Sequence, residues 1–417
     1  MGKCLFSIGN CFAFSIKENI DVQRASVLPF QLKNYPRYSN IILSVSDRIG
    51  KCQIQKGILM NAQKRIVYLD MAKGVGIVLM IAGHLIGSLQ SIDNKSWFSG
   101  VYQFIASFHM PLFFIISGIL LWITKEEERE YGLIVCRKAK ALLIPYLTFS
   151  LIYFVINVCT CILHPELLAF SDLWKFFIYS ITFRGVSVLW FLPTLFFGEI
   201  LFLWCRKRLD DVCLTGLFAV TGFLMLFLSP VFGQEVWEGS LGMMALGAVL
   251  QTMARSLLSC TLLLIGYWAA HVIGTGEKKS IPGFLVGAVM LVACGILCFQ
   301  NGSVDLNYMV FDHFLLYMGN ACLGSFGVIL ICKNMFCSRL LLFFGVNSLV
   351  IMATHMEFKV MLHTIQFSYW LNRYVTRAKE LVLFVTMAVL ITVMEAGIVF
   401  VYNHYLYFLI GKKRPVK

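Results

Sequence analysis

The sequence predicts an all-α membrane protein, a polytopic bundle of about ten transmembrane helices with both termini in the cytoplasm. Hydrophobic residues make up 59% of the 417 residues and charged residues 14%. Soluble domains carry about 45–50% apolar and about 25% charged residues. The net charge of +13 comes from basic residues that lie mostly between apolar runs and at the two ends. These basic residues therefore indicate membrane topology, and we expect no nucleic-acid partner.

The first 59 residues differ from the rest because they contain no apolar run of membrane-spanning length. They also contain no signal peptide with a cleavage site. Met60 begins a basic lead, MNAQKRIVYLD, into the first long apolar run. We therefore expect residues 1–59 to be an N-terminal extension, either disordered or preceding the true start, and residues 60–417 to form the membrane domain.

Ten apolar runs have about the 20 residues needed to cross a bilayer. They are residues 68–90, 101–124, 141–163, 187–205, 212–230, 254–273, 282–300, 313–332, 340–357 and 381–402. Basic residues fall in alternate connecting loops, at Arg137, Lys138 and Lys140, at Arg206, Lys207 and Arg208, at Lys278 and Lys279, and at Lys333 and Arg339. Positive loops mark the cytoplasm, which predicts both termini inside.

Two loops assigned to the outer side are unusual. Loop 358–380 carries Lys359, Arg373, Arg377 and Lys379 together with the apolar stretch VMLHTIQFSYWL. We expect an interfacial or re-entrant helix there. The stretch WEGSLGMMALGAVL at 237–250 is a second candidate for a segment that dips into the membrane from outside.

The first apolar run, YLDMAKGVGIVLMIAGHLIG, contains Lys73 and His84. Eleven helical steps of roughly 100° return the second side chain to the same face, about 16 Å further along the axis. A charged or titratable group inside a membrane span is a functional-site hypothesis by default. Asp70 precedes Lys73 by three residues, which is close enough on a helix for an ion pair.

The second run contains FHMPLFFIISGILL, in which His109 stands next to Pro111. Proline removes a backbone hydrogen bond and kinks a helix. Such breaks are tolerated where neighbouring helices bury them or where they line a cavity. His109 is therefore expected to face the interior, either as a hydrogen-bonded structural residue or as a catalytic or substrate-binding group.

The fourth run, FRGVSVLWFLPTLFFGEI, places Arg184 and Trp190 at its outer end and Glu199 deep inside. Trp190 suits either an aromatic-belt anchor or a substrate contact. Glu199 is consistent with a buried ion pair, a base, or a protonated hydrogen-bonded carboxyl.

The ninth run, FGVNSLVIMATHMEF, brings Asn347, Ser348, His355 and Glu357 onto one predicted helix. Further ionisable residues in or beside the spans are Asp312, His313 and Glu395. Some of these must form structural pairs, and the sequence does not assign which. There is no P-loop, GxSxG elbow, HExxH or paired-cysteine metal site. Proton transfer by histidine fits what remains.

The first two motifs, YLDMAKGVGIVLMIAGH and FHMPLFFIISGILL, resemble the acyltransferase-3 family of integral-membrane acyltransferases, and specifically its fucose 4-O-acetylase-like branch. RKAKALLIPY, LWFLPTLF and FGVNSLVIMATH resemble later landmarks of that family in the same order. The family pattern of a basic residue, ten residues and a histidine matches Lys73 and His84, with lysine where many members have arginine. The resemblance implies a multi-pass protein of the bacterial plasma membrane.

The resemblance also implies acetyl-CoA as the acyl donor on the cytoplasmic side and a glycan hydroxyl as the acceptor on the outer side. The acceptor is a polysaccharide, an oligosaccharide or a lipid-linked sugar, and no metal or tightly bound cofactor is expected. Lys73 and His84 are the expected catalytic residues, with His84 as general base, or alternatively as the site of an acyl-histidine intermediate. The expected substrate-binding residues are His109, Trp190, Arg184, Glu199, Asn347, Ser348 and His355.

Many spans and buried ionisable groups are also typical of transporters. A transporter or exporter of a lipid-linked saccharide or small solute is therefore the alternative function. Transporters often contain paired discontinuous helices from inverted repeats, and the sequence contains no such pairing.

Overall fold

The computed structural model describes residues 66–90, 96–163, 170–232, 240–274, 276, 279–356, 360–371 and 380–411. Over these ranges the chain is a helical bundle with one small hairpin, which confirms the predicted fold class. The elements in chain order are α1 (Val67–Gln90), α2 (Ser96–Ile123), α3 (Tyr131–Lys138), α4 (Ile144–Leu163), α5 (Phe170–Ile181), α6 (Phe191–Arg206), α7 (Asp211–Leu228), α8 (Leu241–Ile273), α9 (Ile281–Leu297), β1 (Val304–Asp305), β2 (Val310–Phe311), α10 (Phe314–Asn334), α11 (Arg339–Val346), α12 (Ser348–Thr354), α13 (Val360–Leu371) and α14 (Glu380–His404). The expected extension, residues 1–59, and its boundary at Met60 lie outside the described residues.

Nine helical segments in the described ranges are long and apolar enough to cross a membrane. They are Val67–Gly87, Ser99–Ile123, Tyr131–Leu163, Ser187–Arg206, Asp211–Leu228, Leu241–Ile273, Ile281–Gln300, Phe314–Asn334 and Phe384–His404. Each corresponds to one of the ten predicted runs. The orientation of the termini stays a prediction.

The remaining predicted run, 340–357, is divided into the short helices α11 and α12. The break lies at Asn347, whose Nδ2 donates to the carbonyl of Phe343 at 2.8 Å. The side-chain oxygen of Asn347 accepts a hydrogen bond from Asn403 of α14, also at 2.8 Å. A polar side chain bound on both sides therefore interrupts a run that is otherwise apolar enough to continue as one helix. Glu357 lies outside the described residues.

Helix α8 is a single helix of 33 residues, so residues 241–250 of the second unusual stretch form its first part. The place of this stretch relative to the membrane stays a prediction. The Ser240 hydroxyl caps its N-terminus by accepting the N–H of Met243 at 3.4 Å. Residues 233–239 lie outside the described ranges.

The loop predicted to hold an interfacial or re-entrant helix does contain a helix, α13, which packs against α14. Its place relative to the membrane stays a prediction. The four basic residues of that loop lie outside the described residues.

Helix α2 lies at the centre of the bundle and packs against α1, α8 and α10. The backbones of α2 and α8 are in direct contact. A Cβ atom added to Gly118 would overlap the carbonyl oxygen of Leu263, and one added to Gly266 would overlap that of Ile115. Glycine at these helix interfaces allows two backbones to approach closely, as is common between membrane helices.

A second backbone contact joins α1 to α11. A Cβ atom on Gly74 would overlap the carbonyl oxygen of Leu341, and one on Gly345 would overlap that of Asp70. This contact fixes the position of α1, the helix that carries Lys73 and His84.

Replacing Gly345 with alanine should therefore destabilise the protein, because the new methyl group overlaps backbone that cannot move aside. We expect a loss of about 1–3 kcal/mol, the usual cost of overpacking. The matched control is Gly397→Ala in α14, where a Cβ meets no atom within 4 Å. Thermal unfolding in detergent measures both variants. Equal midpoints for Gly345→Ala and Gly397→Ala would contradict the close contact.

Candidate functional site

A cavity of about 440 Å³ lies among α1, α2, the residues around the start of α6, the β-hairpin and α12. This volume is within the range of small-molecule sites. The polar residues of its wall, with its tyrosines and tryptophan, are Lys73, His84, Tyr102, His109, Ser117, Ser187, Trp190, Asp305, Asn307, Tyr308 and Ser348. Apolar side chains, among them Ile77, Met80 and Phe113, line much of the remainder.

Lys73 and His84 both line this cavity, as expected for two residues on one face of α1. The ammonium group of Lys73 lies 3.2 Å from a carboxylate oxygen of Asp70, so the expected ion pair is present. The Lys73 side chain keeps 24% of its surface exposed. Asp70 therefore holds Lys73 in place without removing it from the cavity wall.

Three histidines come together around the cavity. His109 lines the wall together with His84, and the ring of His355 lies 5.3 Å from that of His84 between centroids. The Nδ1 atoms of His109 and His355 each lie within 2.9 Å of the carbonyl four residues earlier, on Ile105 and Ile351. A carbonyl only accepts, so Nδ1 carries the proton and Nε2 of each neutral ring is an acceptor.

His355 is completely buried, and its Nε2 atom has no hydrogen-bond partner among the described residues. The ring of His109 is hydrogen-bonded within α2, which is one of the two expected alternatives, and it also forms part of the wall. Its catalytic or substrate-binding role stays a prediction. Helix α2 continues through Pro111. Pro111 lacks the N–H that would bind the carbonyl of Ser107.

Glu199 is buried behind the wall and forms an ion pair with Lys138, with 2.8 Å between nitrogen and oxygen. Its second oxygen accepts a hydrogen bond from the Ser117 hydroxyl, which lines the cavity. Of the three alternatives that the sequence left open, the structure therefore contains the ion pair.

The other sequence-predicted residues divide into two groups. Trp190 and Ser348 line the cavity, whereas Arg184 and Asn347 lie behind it. The Arg184 Nε atom donates to the side-chain oxygen of Gln251 at 2.7 Å, and its guanidinium lies 4.0 Å from the ring centroid of Tyr179. Asn347 forms the helix break described above.

Two further carboxylates are structural. Asp312 accepts the backbone N–H of Ser303 at 2.7 Å, next to the hairpin. Glu395 is buried in α14 and accepts the hydroxyl of Thr354 at 2.7 Å. These contacts join neighbouring elements and lie away from the cavity wall.

Sequence reasoning missed Arg255, which is buried in the middle of α8. Its guanidinium donates to the side-chain oxygen of Asn307 at 2.6 Å and to the carbonyl of Arg184 at 2.8 Å. The same group lies 5.3 Å from the ring centroid of Trp190. The signal that could have found it is a lone arginine at the start of the predicted span 254–273.

Sequence reasoning also did not identify the hairpin residues as part of the site. One carboxylate oxygen of Asp305 accepts the backbone N–H groups of Asn307 at 2.8 Å and Tyr308 at 3.1 Å. Burial raises the pKa of the Asp305 carboxyl above its usual value, and these N–H groups and the charge of Arg255 oppose that shift. Strands of two residues leave no periodic signal in the sequence.

Comparison with known proteins gives a family match. Residues 66–410 match a family model described as an acyltransferase domain. Nodulation protein NolL of Sinorhizobium fredii (strain NBRC 101917 / NGR234) is 40% identical to the chain over 62 residues, which are 14% of this chain and 17% of NolL. No solved structure matches the chain.

The ion pair behind the wall predicts a large effect of removing one partner. Lys138→Met should destabilise the protein by about 3–5 kcal/mol, because Glu199 is left charged and unpaired in the interior. Lys138→Met combined with Glu199→Gln should recover most of that loss. Thermal unfolding of the single and double variants in detergent measures the difference. A double variant no more stable than Lys138→Met would show that the pair does not act as a unit.

Proposed function

The chain belongs to the acyltransferase-3 family, and from that premise we propose that it transfers an acetyl or other short acyl group from acyl-CoA to a hydroxyl group of a cell-surface or exported glycan. The family and the nine span-length helices of the described chain make it a multi-pass membrane acyltransferase. The single observation that supports the finer proposal is the cavity whose wall carries both Lys73 and His84. Placement in a bacterial plasma membrane and in the fucose 4-O-acetylase-like branch are parts of the same proposal.

Lys73 is proposed to attract the phosphate groups of the donor at one end of the cavity. Its ammonium group is available there because the Lys73 side chain lines the cavity and stays partly exposed beside Asp70. A lysine provides a point charge, not the two-pronged donor geometry of arginine. We therefore assign it to attraction and retention of the donor. The distance of about 16 Å along α1 to His84 suits the extended pantetheine arm of CoA.

His84 is proposed to act as the general base at the point where donor and acceptor meet. The imidazole takes the proton of the acceptor hydroxyl as that oxygen attacks the thioester carbonyl carbon. The carbon–sulfur bond then breaks, and the departing CoA thiolate takes the proton from the imidazolium. This direct transfer needs no covalent enzyme intermediate, and we favour it over an acyl-histidine.

The surroundings of His84 support this role. His355 and His109 each have Nδ1 bound to a backbone carbonyl, so their Nε2 atoms are acceptors. A neutral His355 ring, 5.3 Å from the ring of His84 between centroids, adds no positive charge that would oppose the imidazolium formed during transfer. The apolar part of the wall, which includes Ile77 and Met80, suits a short acyl chain.

The family match supports acyl transfer over the alternative of a solute transporter. A cavity with residues of two chemical kinds, a cation towards one end and aromatic and carboxylate groups at the hairpin, is also what a two-substrate enzyme needs. The acceptor's identity as a glycan follows from the resemblance and is tested together with the reaction.

His84→Ala should lower the rate of transfer from radiolabelled acetyl-CoA to saccharide acceptors by about 10²–10⁴-fold, the usual contribution of a general base. His404→Ala is the matched control, because His404 is exposed at the end of α14 and does not line the cavity. Size-exclusion profiles and thermal midpoints verify that both variants are folded. Near-normal transfer by folded His84→Ala would end the assignment.

Lys73→Ala should raise the KM for acetyl-CoA by about tenfold with a smaller change in kcat, since it removes one charge-assisted contact to the donor. Lys73→Arg should retain most of the affinity. Lys175→Ala is the control, because Lys175 forms the same i,i+3 ion pair with Asp172 away from the cavity. A KM for Lys73→Ala equal to that of Lys175→Ala would leave Lys73 as a partner of Asp70 alone.

A further inference from the structure

The hairpin end of the cavity differs in chemistry from the remainder. Three aromatic residues, Tyr102, Trp190 and Tyr308, line it together with the carboxylate of Asp305 and the amide of Asn307. Aromatic faces pack against the C–H faces of sugar rings, and carboxylate and amide groups bind their hydroxyls. This combination is found in no other part of the wall that the structure describes.

We propose that this end of the cavity is a saccharide subsite, in which Asp305 and Asn307 bind hydroxyl groups and Trp190 and Tyr308 pack against the sugar ring. The inference rests on the proposed function, because it assigns the acceptor of that reaction to named residues. It goes further by making the hairpin Val304–Phe311 the element that selects the acceptor.

The hydrogen-bonding atoms that remain open on the hairpin support the subsite. Asp305 uses Oδ1 for the two backbone N–H groups of the turn. Within the described chain, its Oδ2 has no hydrogen-bond partner. Asn307 uses its side-chain oxygen for Arg255, which leaves its NH₂ group available to donate. The hairpin therefore presents an acceptor and a donor side by side, as a sugar hydroxyl requires.

Arg255 is a positioning residue for this subsite. Its guanidinium binds Asn307 on the hairpin and the carbonyl of Arg184, and it lies near Trp190. Arg255 forms no salt bridge with any described acidic residue, although it is buried at mid-helix. An unpaired buried charge in a membrane helix is costly. The arrangement is accounted for if the guanidinium ties both sides of the subsite to α8, through Asn307 on the hairpin and through the Arg184 carbonyl and the Trp190 ring on the other side.

The test measures binding separately from turnover. Full-length protein in phospholipid nanodiscs is titrated with the methyl glycosides of glucose, N-acetylglucosamine and fucose, and binding is followed by saturation-transfer NMR. The same glycosides serve as acceptors in an assay with radiolabelled acetyl-CoA. The variants are Asp305→Asn and Tyr308→Leu. Their controls are Asp172→Asn and Tyr405→Leu, which lie away from the cavity at partly or largely exposed positions.

We expect the protein to bind at least one glycoside, and Asp305→Asn and Tyr308→Leu to weaken that binding and raise the acceptor KM by about tenfold. The KM for acetyl-CoA should change by less than about twofold, as should both constants in the controls. Arg255→Lys should raise the acceptor KM in the same selective way. If Arg255→Lys does not fold, the two hairpin variants decide the question.

Glycoside binding that both hairpin variants leave intact, or equal changes in the donor and acceptor constants, would overturn the subsite while leaving acyl transfer standing. Absence of glycoside binding by the unaltered protein would overturn it as well. Selective binding that both hairpin variants weaken, without transfer of the labelled acetyl group, would support the subsite and refute the proposed function.

Discussion

Contact between helices at backbone distance is the constraint on which the cavity depends. Gly74 and Gly345 bring α1 against α11, and Gly118 and Gly266 bring α2 against α8. Since α1 and α2 also pack on each other, these two contacts set the width of the space between the helices. They also fix where the chain leaves α11. The next helix, α12, ends at Thr354, and the residue after it, His355, lies beside the ring of His84.

The polar residues of the bundle fall into two groups, those that line the cavity and those that are buried behind its wall. Residues of the first group, such as His84 and Asp305, line the cavity. Those behind it, such as Glu199 and Arg184, are bound to partners within the bundle. In a membrane interior an unsatisfied polar group costs several kcal/mol, so the ion pair of Glu199 and the hydrogen bond of Arg184 stabilise the bundle behind the wall. The buried pairs thus support the site without contacting a substrate.

The helical bundle and the pair of Lys73 and His84 could be predicted, because both follow from the regular geometry of the α-helix. Helical periodicity alone placed Lys73 and His84 on one face, and apolar run length located nine spans. The break at Asn347 could not be predicted, because it depends on a hydrogen bond to Asn403 in a distant helix. Arg255 was hidden for a related reason: its partners lie far away in the sequence, on the hairpin and before α6.

Helix α8 contacts the hairpin and is longer than the hydrocarbon core of a bilayer is thick. Its 33 residues extend for roughly 50 Å, whereas the hydrocarbon core of a bilayer is about 30 Å thick. A helix this long either tilts or projects from the membrane, and its tilt changes with bilayer thickness. Arg255 joins α8 to the hairpin through Asn307. The arginine that holds the hairpin at the cavity therefore lies on the helix that must itself adapt to the thickness of the bilayer.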